Sequence, residues 1–196
     1  VTGMILFFDT ETTGLPDYRL PASSERQPHL VQLAAILTED DGTERASLNV
    51  IVEPDGFTIP AGAAAVHGIT DEIAARCGIP LAAAVYPFIC MRSRASVLVA
   101  HNIKFDAAIM DTAISRIPQR NWHAGPGNDF CTMEHAAPIV NLPPTDRMLA
   151  AGFTKPKPPP SGGMRKALLR GRAYWRSRRP GGRSGLCAGL LPHARA

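Results

Sequence analysis

Asp9, Glu11 and Asp106 are the residues of this chain whose type and setting point most directly to chemistry. Asp9 and Glu11 close the run "ILFFDTE", two carboxylates with only Thr10 between them. Residues i and i+2 of a strand project from the same face, so both acids can reach one point at the strand's end. Two like charges side by side destabilise each other unless a cation or a proton lies between them. Hard divalent ions such as magnesium take oxygen ligands, so a metal is one answer. A solvated or N-capping pair is the other, since acids near turns are common. Asp106 follows a short apolar run, "SVLVAH", and opens a helical pattern, with His101, Asn102 and Phe105 beside it. Alone, Asp106 reads as a helix-terminus acid, favoured there by the helix dipole. Phe105 alone reads as core packing, and His67 in "VHGIT" as a turn histidine.

These residues need a scaffold. "MILFFD" (4–9) reads as a buried strand stopped by "TTGLP". "HLVQLAAILTED" (29–40) and "ASLNVIVEP" (46–54) read as two strands of a hairpin around "DDGT". Residues 60–70 read as a loop and short helix. "TDEIAARCG" then has Thr70 as N-cap, acids in the first turn and Gly78 as a stop. "LAAAVYPFICMRSRA" (81–95) is helical in pattern, with a kink expected at Pro87. "SVLVAH" (96–101) reads as another buried strand, and "FDAAIMDTAISRI" (105–117) spaces its apolar residues at helical intervals. From "KPKPPPSGG" (155–163) onward no period can be assigned, and no internal repeat is found. Strands first, then helices alternating with strands, predict a mixed α/β domain whose sheet has an antiparallel hairpin and a parallel extension.

Composition sets the bounds. At 196 residues the chain can bury a sizeable single core. No apolar run reaches the roughly 18 residues of a membrane span. No positively charged region precedes the first apolar run, which argues against a signal peptide. Cys77, Cys90, Cys131 and Cys187 form no CxxC pair, which argues against zinc and fits a reducing cytoplasm. The net charge of +4 hides a division. Residues 147–196 hold 12 of the 21 Lys and Arg and no acid, which leaves 9 basic and 17 acidic residues, net −8, in residues 1–146. Such a tail reads as a solvated arm or as a nucleic-acid arm.

Together the segments resemble the DEDD-type 3′-5′ exonucleases, in particular the proofreading epsilon subunit of bacterial DNA polymerase III and its stand-alone relatives. The family's first motif, an apolar strand ending in D-x-E-T-T-G, is matched by "FFDTETTGL", and its second, H-N-x-x-F-D, by "HNIKFD". "QPHLVQLAAI", "VHGITDE", "DFCTME" and "FTKPKPP" resemble further family segments in the right order, so the likeness covers about residues 4–159. It implies a ribonuclease H-like mixed five-stranded sheet flanked by helices. It also implies hydrolysis of nucleic acid from the 3′ end with two divalent ions, Mg2+ or Mn2+. In-line displacement of this kind uses two ions to clamp the attacking and departing oxygens. By the resemblance, Asp9 bridges both ions, and Glu11 and Asp106 add ligands. The backbone of Thr12, Thr13 and Gly14 lies against the terminal nucleotide, where Gly14 lets main chain approach closely. His67 and Thr70 match residues that contact that nucleotide, and Asn102 and Phe105 reach the next one. The implied partners are a single-stranded or frayed DNA 3′ end, with RNA as an alternative, and a DNA polymerase. No membrane is implied.

The family's third motif, H-x-x-x-x-D on a C-terminal helix, supplies the general base and the fourth carboxylate. It is absent from this chain: His135 is followed five places on by Val140, His193 has too little chain after it, and Asp146 is the last acid. The tail offers a reason. "WRSRRPGG" (175–182), read one nucleotide later, has leading bases that permit G-A-H-D-A-L-A-D, a family third motif. "KALLR" upstream permits R-H-F-F-G, and "RSGLCAGLLP" downstream permits a plausible helix. A frameshift near "PPPSGG" (158–163) would also produce the Arg, Gly and Pro excess. The expected organisation is an exonuclease-like domain over 1–157, lacking its last helix, then a disordered, out-of-frame basic tail over 158–196. The expected function is a 3′-5′ exonuclease of DNA repair or proofreading, impaired in this chain. The alternatives are a non-catalytic nucleic-acid-binding protein, an RNA-trimming enzyme and a damaged gene product.

Overall fold

The computed structural model describes residues 3–117 and 128–158. The expected tail beyond its first residue, Pro158, and with it any third motif or last helix, lies outside those residues. Five strands form one sheet in the order β3-β2-β1-β4-β5. They are β1 (Met4–Thr12), β2 (Leu30–Thr38), β3 (Glu44–Ile51), β4 (Ala95–Ala100) and β5 (Asp129–Cys131). β1 pairs antiparallel with β2, and β2 with β3, whereas β1–β4 and β4–β5 are parallel. The hairpin expected from "DDGT" is the β2–β3 connection, where Gly42 takes a positive φ of 83°. The central strand β1 is buried continuously from Ile5 to Phe8. A strand with neighbours on both edges and cover on both faces has no position for polar residues until it reaches the sheet's end.

The helices are α1 (Ala61–His67), α2 (Asp71–Cys77), α3 (Leu81–Arg92), α4 (Ile103–Ser115), α5 (Thr132–Val140) and α6 (Asp146–Ala150). α3 and α4 pack on the sheet, where Phe88 of α3 meets Phe8 of β1 with ring centroids 5.2 Å apart. Leu6, Leu33, Val85, Val99, Ile109 and Met110 close the same core. Pro87, expected to kink the helix, lies inside α3 without ending it. Proline removes one amide donor, and the burial of Val85, Phe88 and Met91 across that point outweighs the lost bond. Thr70 caps α2 as expected, its hydroxyl accepting from the Ile73 amide at 3.3 Å. A second cluster of Val31, Ile59, Ile69 and Ala74 seats the α1–α2 connection, "HGIT", beside β2.

The element that aims α4 at the end of β1 is a one-residue device. Asn102, between β4 and α4, sits in the left-handed region at φ 66°, ψ 51°. Asparagine tolerates this conformation better than other non-glycine residues. It turns the chain sharply enough for α4 to begin directly over the strand ends.

Candidate active site

Beyond Phe8 the burial of β1 alternates. Asp9 and Glu11 are half-buried, and Thr10 and Thr12 are buried. Asp9 and Glu11 therefore share a face, and Thr10 points to the other. Asp106, in the first turn of α4, is only 2 % exposed. Thr10 is the residue that holds it: its backbone amide donates to Asp106 Oδ1 at 2.9 Å and its hydroxyl donates to the same oxygen at 2.7 Å.

Burial, and after it the neighbouring Asp9 charge, push the Asp106 carboxyl up to about 8, against the pull of the two Thr10 bonds. Asp9 and Asp106 are thus close enough to feel each other. Glu11 lies two residues further along the strand. Among the described residues, no group of three or more His, Cys, Asp and Glu side chains is gathered so that it could hold a metal ion. The structure brings two of the three expected acids together and leaves the third on the same strand face.

The segments expected to meet a terminal nucleotide sit at this end of the sheet. Thr12 is tied into the turn that follows β1, its hydroxyl donating to the Gly14 carbonyl. Thr13 exchanges bonds with the start of β2: its amide donates to the His29 carbonyl at 3.0 Å, and its hydroxyl accepts from the His29 amide at 2.8 Å. A Cβ built on Gly14 would meet nothing within 4 Å. The space over Gly14 is therefore open to a ligand. Asn102 is exposed at the start of α4, and Phe105 packs partly against the main core. His67 Nδ1 accepts from the Ile69 amide at 3.1 Å, which orients the ring at the C-terminus of α1, and Thr70 is exposed.

His135 is not a hidden base for this site. It stacks on Phe130 with centroids 4.0 Å apart, and its Nδ1 donates to the Cys131 carbonyl at 2.9 Å. His101 is likewise engaged, its Nδ1 3.1 Å from the Thr132 hydroxyl.

Thr10 was not among the expected site residues. Its bonds to Asp106 span 96 positions, and no local pattern announces a contact of that range. Its place between two acids was the one available hint. Gln27 was also missed. It is 5 % exposed and fixes the long β1–β2 loop, its Nε2 donating to the Asp17 and Leu20 carbonyls at 2.9 and 3.2 Å. Arg116, at the end of α4, clamps the same loop by donating to the Gln27 and Pro28 carbonyls at 2.7 and 2.9 Å.

Comparison with known proteins agrees with this geometry. Residues 6–142 match the family model described as Exonuclease, of the RNase T type. A DNA polymerase III subunit epsilon-like protein of Rhodobacter capsulatus is 37 % identical over 100 residues, which are 50 % of this chain and 13 % of that protein. The fold resembles a product-bound exonuclease I, with TM-score 0.59 and 20 % identity over 75 % of this chain and 35 % of the other. It also resembles E. coli exonuclease I in complex with a dT13 oligonucleotide, with TM-score 0.60 and 19 % identity over 74 % of this chain and 32 % of that one. The chain thus spans about a third or less of each of these proteins. With the acid-bearing strand, the left-handed Asn102 turn and the buried Asp106 all lying inside the matched residues, the chain belongs to the exonuclease family, in its DEDD 3′-5′ branch.

Proposed function

We propose that this chain derives from an exonuclease acting on DNA 3′ ends, and that in its present form it is impaired. The observation that carries the reading is the docking of Asp106 of α4 on the end of β1, where Thr10, the residue between Asp9 and Glu11, grips its carboxyl by two bonds. Two carboxylates placed this way repel each other, and a cation or a proton must resolve the conflict. The donor chemistry fits a hard divalent ion, because every candidate ligand is a carboxylate oxygen. In number the set falls short of a closed centre. Asp9 and Asp106 would hold such an ion, with Glu11 completing the set from its place on the strand. When bound, divalent ions supply charge neutralisation at the scissile phosphate and a nucleophile at neutral pH.

The chain's own residues supply the rest. Thr10 fixes the Asp106 carboxylate by two bonds and leaves its second oxygen free of that constraint. The open space over Gly14, in the turn that follows β1, leaves room for a terminal nucleotide. What the sequence does not contain is a His five places before an Asp beyond the second motif. Among the described residues, three large apolar side chains late in the sequence, Ile139, Leu149 and Phe153, stand exposed. DNA is favoured over RNA by the solved exonuclease I complex with dT13, and a DNA polymerase is the fitting partner for an epsilon-like chain.

The test is release of nucleotides from single-stranded DNA with Mg2+ or Mn2+. The chain as written is expected to show little or none, and turnover near that of an intact exonuclease would contradict the reading. A second reading, nucleic-acid binding without catalysis, is favoured by the acid-free tail and its 12 basic residues. Steeply salt-dependent binding that disappears on deleting residues 160–196 would support it.

Thr10 gives a separate prediction. Groups that orient a metal ligand typically cost about 10–100-fold in metal affinity when removed. Thr10→Val keeps the shape and loses the hydroxyl, so Mn2+ affinity should fall within that range, and Thr10→Ser should restore it. Isothermal titration checks both.

A further inference from the structure

Tyr18, in the β1–β2 loop, is 56 % exposed, and Lys104, in the first turn of α4, places its Nζ 4.8 Å from the centroid of the Tyr18 ring. The two residues come from different elements and meet beside the acid pair. Lys104 is two residues from Asp106, and the Tyr18 hydroxyl is close enough for the Asp106 charge, after burial, to hold its pKa above the usual range. The turn that presents Tyr18 is built firmly. Gln27 Oε1 accepts from the Asp17 amide at 3.1 Å and Gln27 Nε2 donates back to the Asp17 carbonyl at 2.9 Å. The Leu20 amide donates to the Asp17 carbonyl at 3.0 Å, and Arg19 forms two bonds of 2.8 Å with the Asp17 carboxylate. An exposed aromatic ring held this rigidly loses little freedom when something stacks on it.

We propose that Tyr18 and Lys104 form a nucleotide subsite for single-stranded DNA on the rim of the acid pair. The proposal rests on the exonuclease reading above and extends it to Tyr18, outside the family motifs, and to Lys104, at a position the second motif leaves unspecified. The ring offers a face to a base, a sequence-tolerant contact because every base has a π face. The ammonium already lies over the ring and offers its outer donors to a phosphate oxygen. An aromatic and a cation together suit an unpaired strand, whose bases are free to stack.

The test is photo-crosslinking of the full chain to oligo-dT carrying one 5-iododeoxyuridine at each of the last three 3′ positions in turn, followed by mass mapping. The peptide containing Tyr18 should be labelled from at least one position and protected by unlabelled oligonucleotide. Affinity measured at high salt, where the tail's ionic contribution is suppressed, should fall about 5- to 100-fold in Tyr18→Ala and hold in Tyr18→Phe. Lys104→Gln should flatten the salt dependence by about one phosphate contact. Labelling of the Thr12–Gly14 segment without Tyr18 would overturn the subsite and leave the exonuclease reading standing. Labelling confined to residues 159–196 would overturn both.

Discussion

Reading the gene one nucleotide later from the stretch encoding residues 158–163 should yield a chain that degrades single-stranded DNA at least about 10²–10⁴-fold faster than the chain as written. That factor is the usual contribution of a positioned general base. The fourth carboxylate would return with it, but residues that act as a unit do not contribute additively, so a larger factor is not assigned. The restored helix would also cover apolar surface near Ile139, Leu149 and Phe153, now exposed. Asp9→Ala in the restored chain should abolish the reaction. A stop codon or no His–Asp motif in the shifted frame would end the frameshift explanation. A restored chain no faster than the present one would show that the missing motif is not what limits it.

The second large effect is on stability and pH in the absence of metal. Burial first and Asp9 second hold the Asp106 carboxyl at about 8 in the folded chain, against 3.8 ordinarily. Between those values the folded state binds the proton more tightly than the unfolded state, so the stability this group contributes is present at low pH and is lost as pH rises through 8. His29 acts in the opposite sense. Burial and then Arg116 lower it from 6.5 to about 4, so its contribution is present above 6.5 and is lost as pH falls. The two slopes oppose each other between about 4 and 6.5 and leave Asp106 alone above that. At about 1.4 kcal/mol per pH unit, stability without metal should drop by about 2 kcal/mol between pH 6.5 and 8. Urea denaturation in EDTA at the two pH values checks this. Asp106→Asn should remove the drop, and a flat profile in the unmodified chain would contradict the placement of Asp106. Adding Mn2+ should offset the loss at pH 8, because an ion bound only by the folded state stabilises it in proportion to the logarithm of its concentration.

Much of the scaffold could be read from the sequence because its signals are local. The apolar run into Asp9, the glycine turn of the hairpin and the Thr70 cap each depend on residues within four places of one another. The end of β1 at the acids follows from burial alone, since nothing polar is accommodated further in. Family motifs at residues 9–14 and 101–106 marked candidate residues that the structure places at one end of the sheet. What could not be read depends on contacts distant in sequence. Thr10 meets Asp106 across 96 positions, and Tyr18 of the β1–β2 loop meets Lys104 of α4. Same-face geometry predicted that Asp9 and Glu11 point together, but it said nothing of the alternate residue, Thr10. That residue determines where the third acid is held.

Calorimetric or electron-paramagnetic titration of the full chain with Mn2+ at pH 8 measures the central claim, that the acids at the ends of β1 and α4 grip a divalent ion. Saturable uptake that is lost in Asp9→Asn and in Asp106→Asn, with both variants still folded, is the expected result. No uptake, or uptake that neither substitution changes, would contradict it.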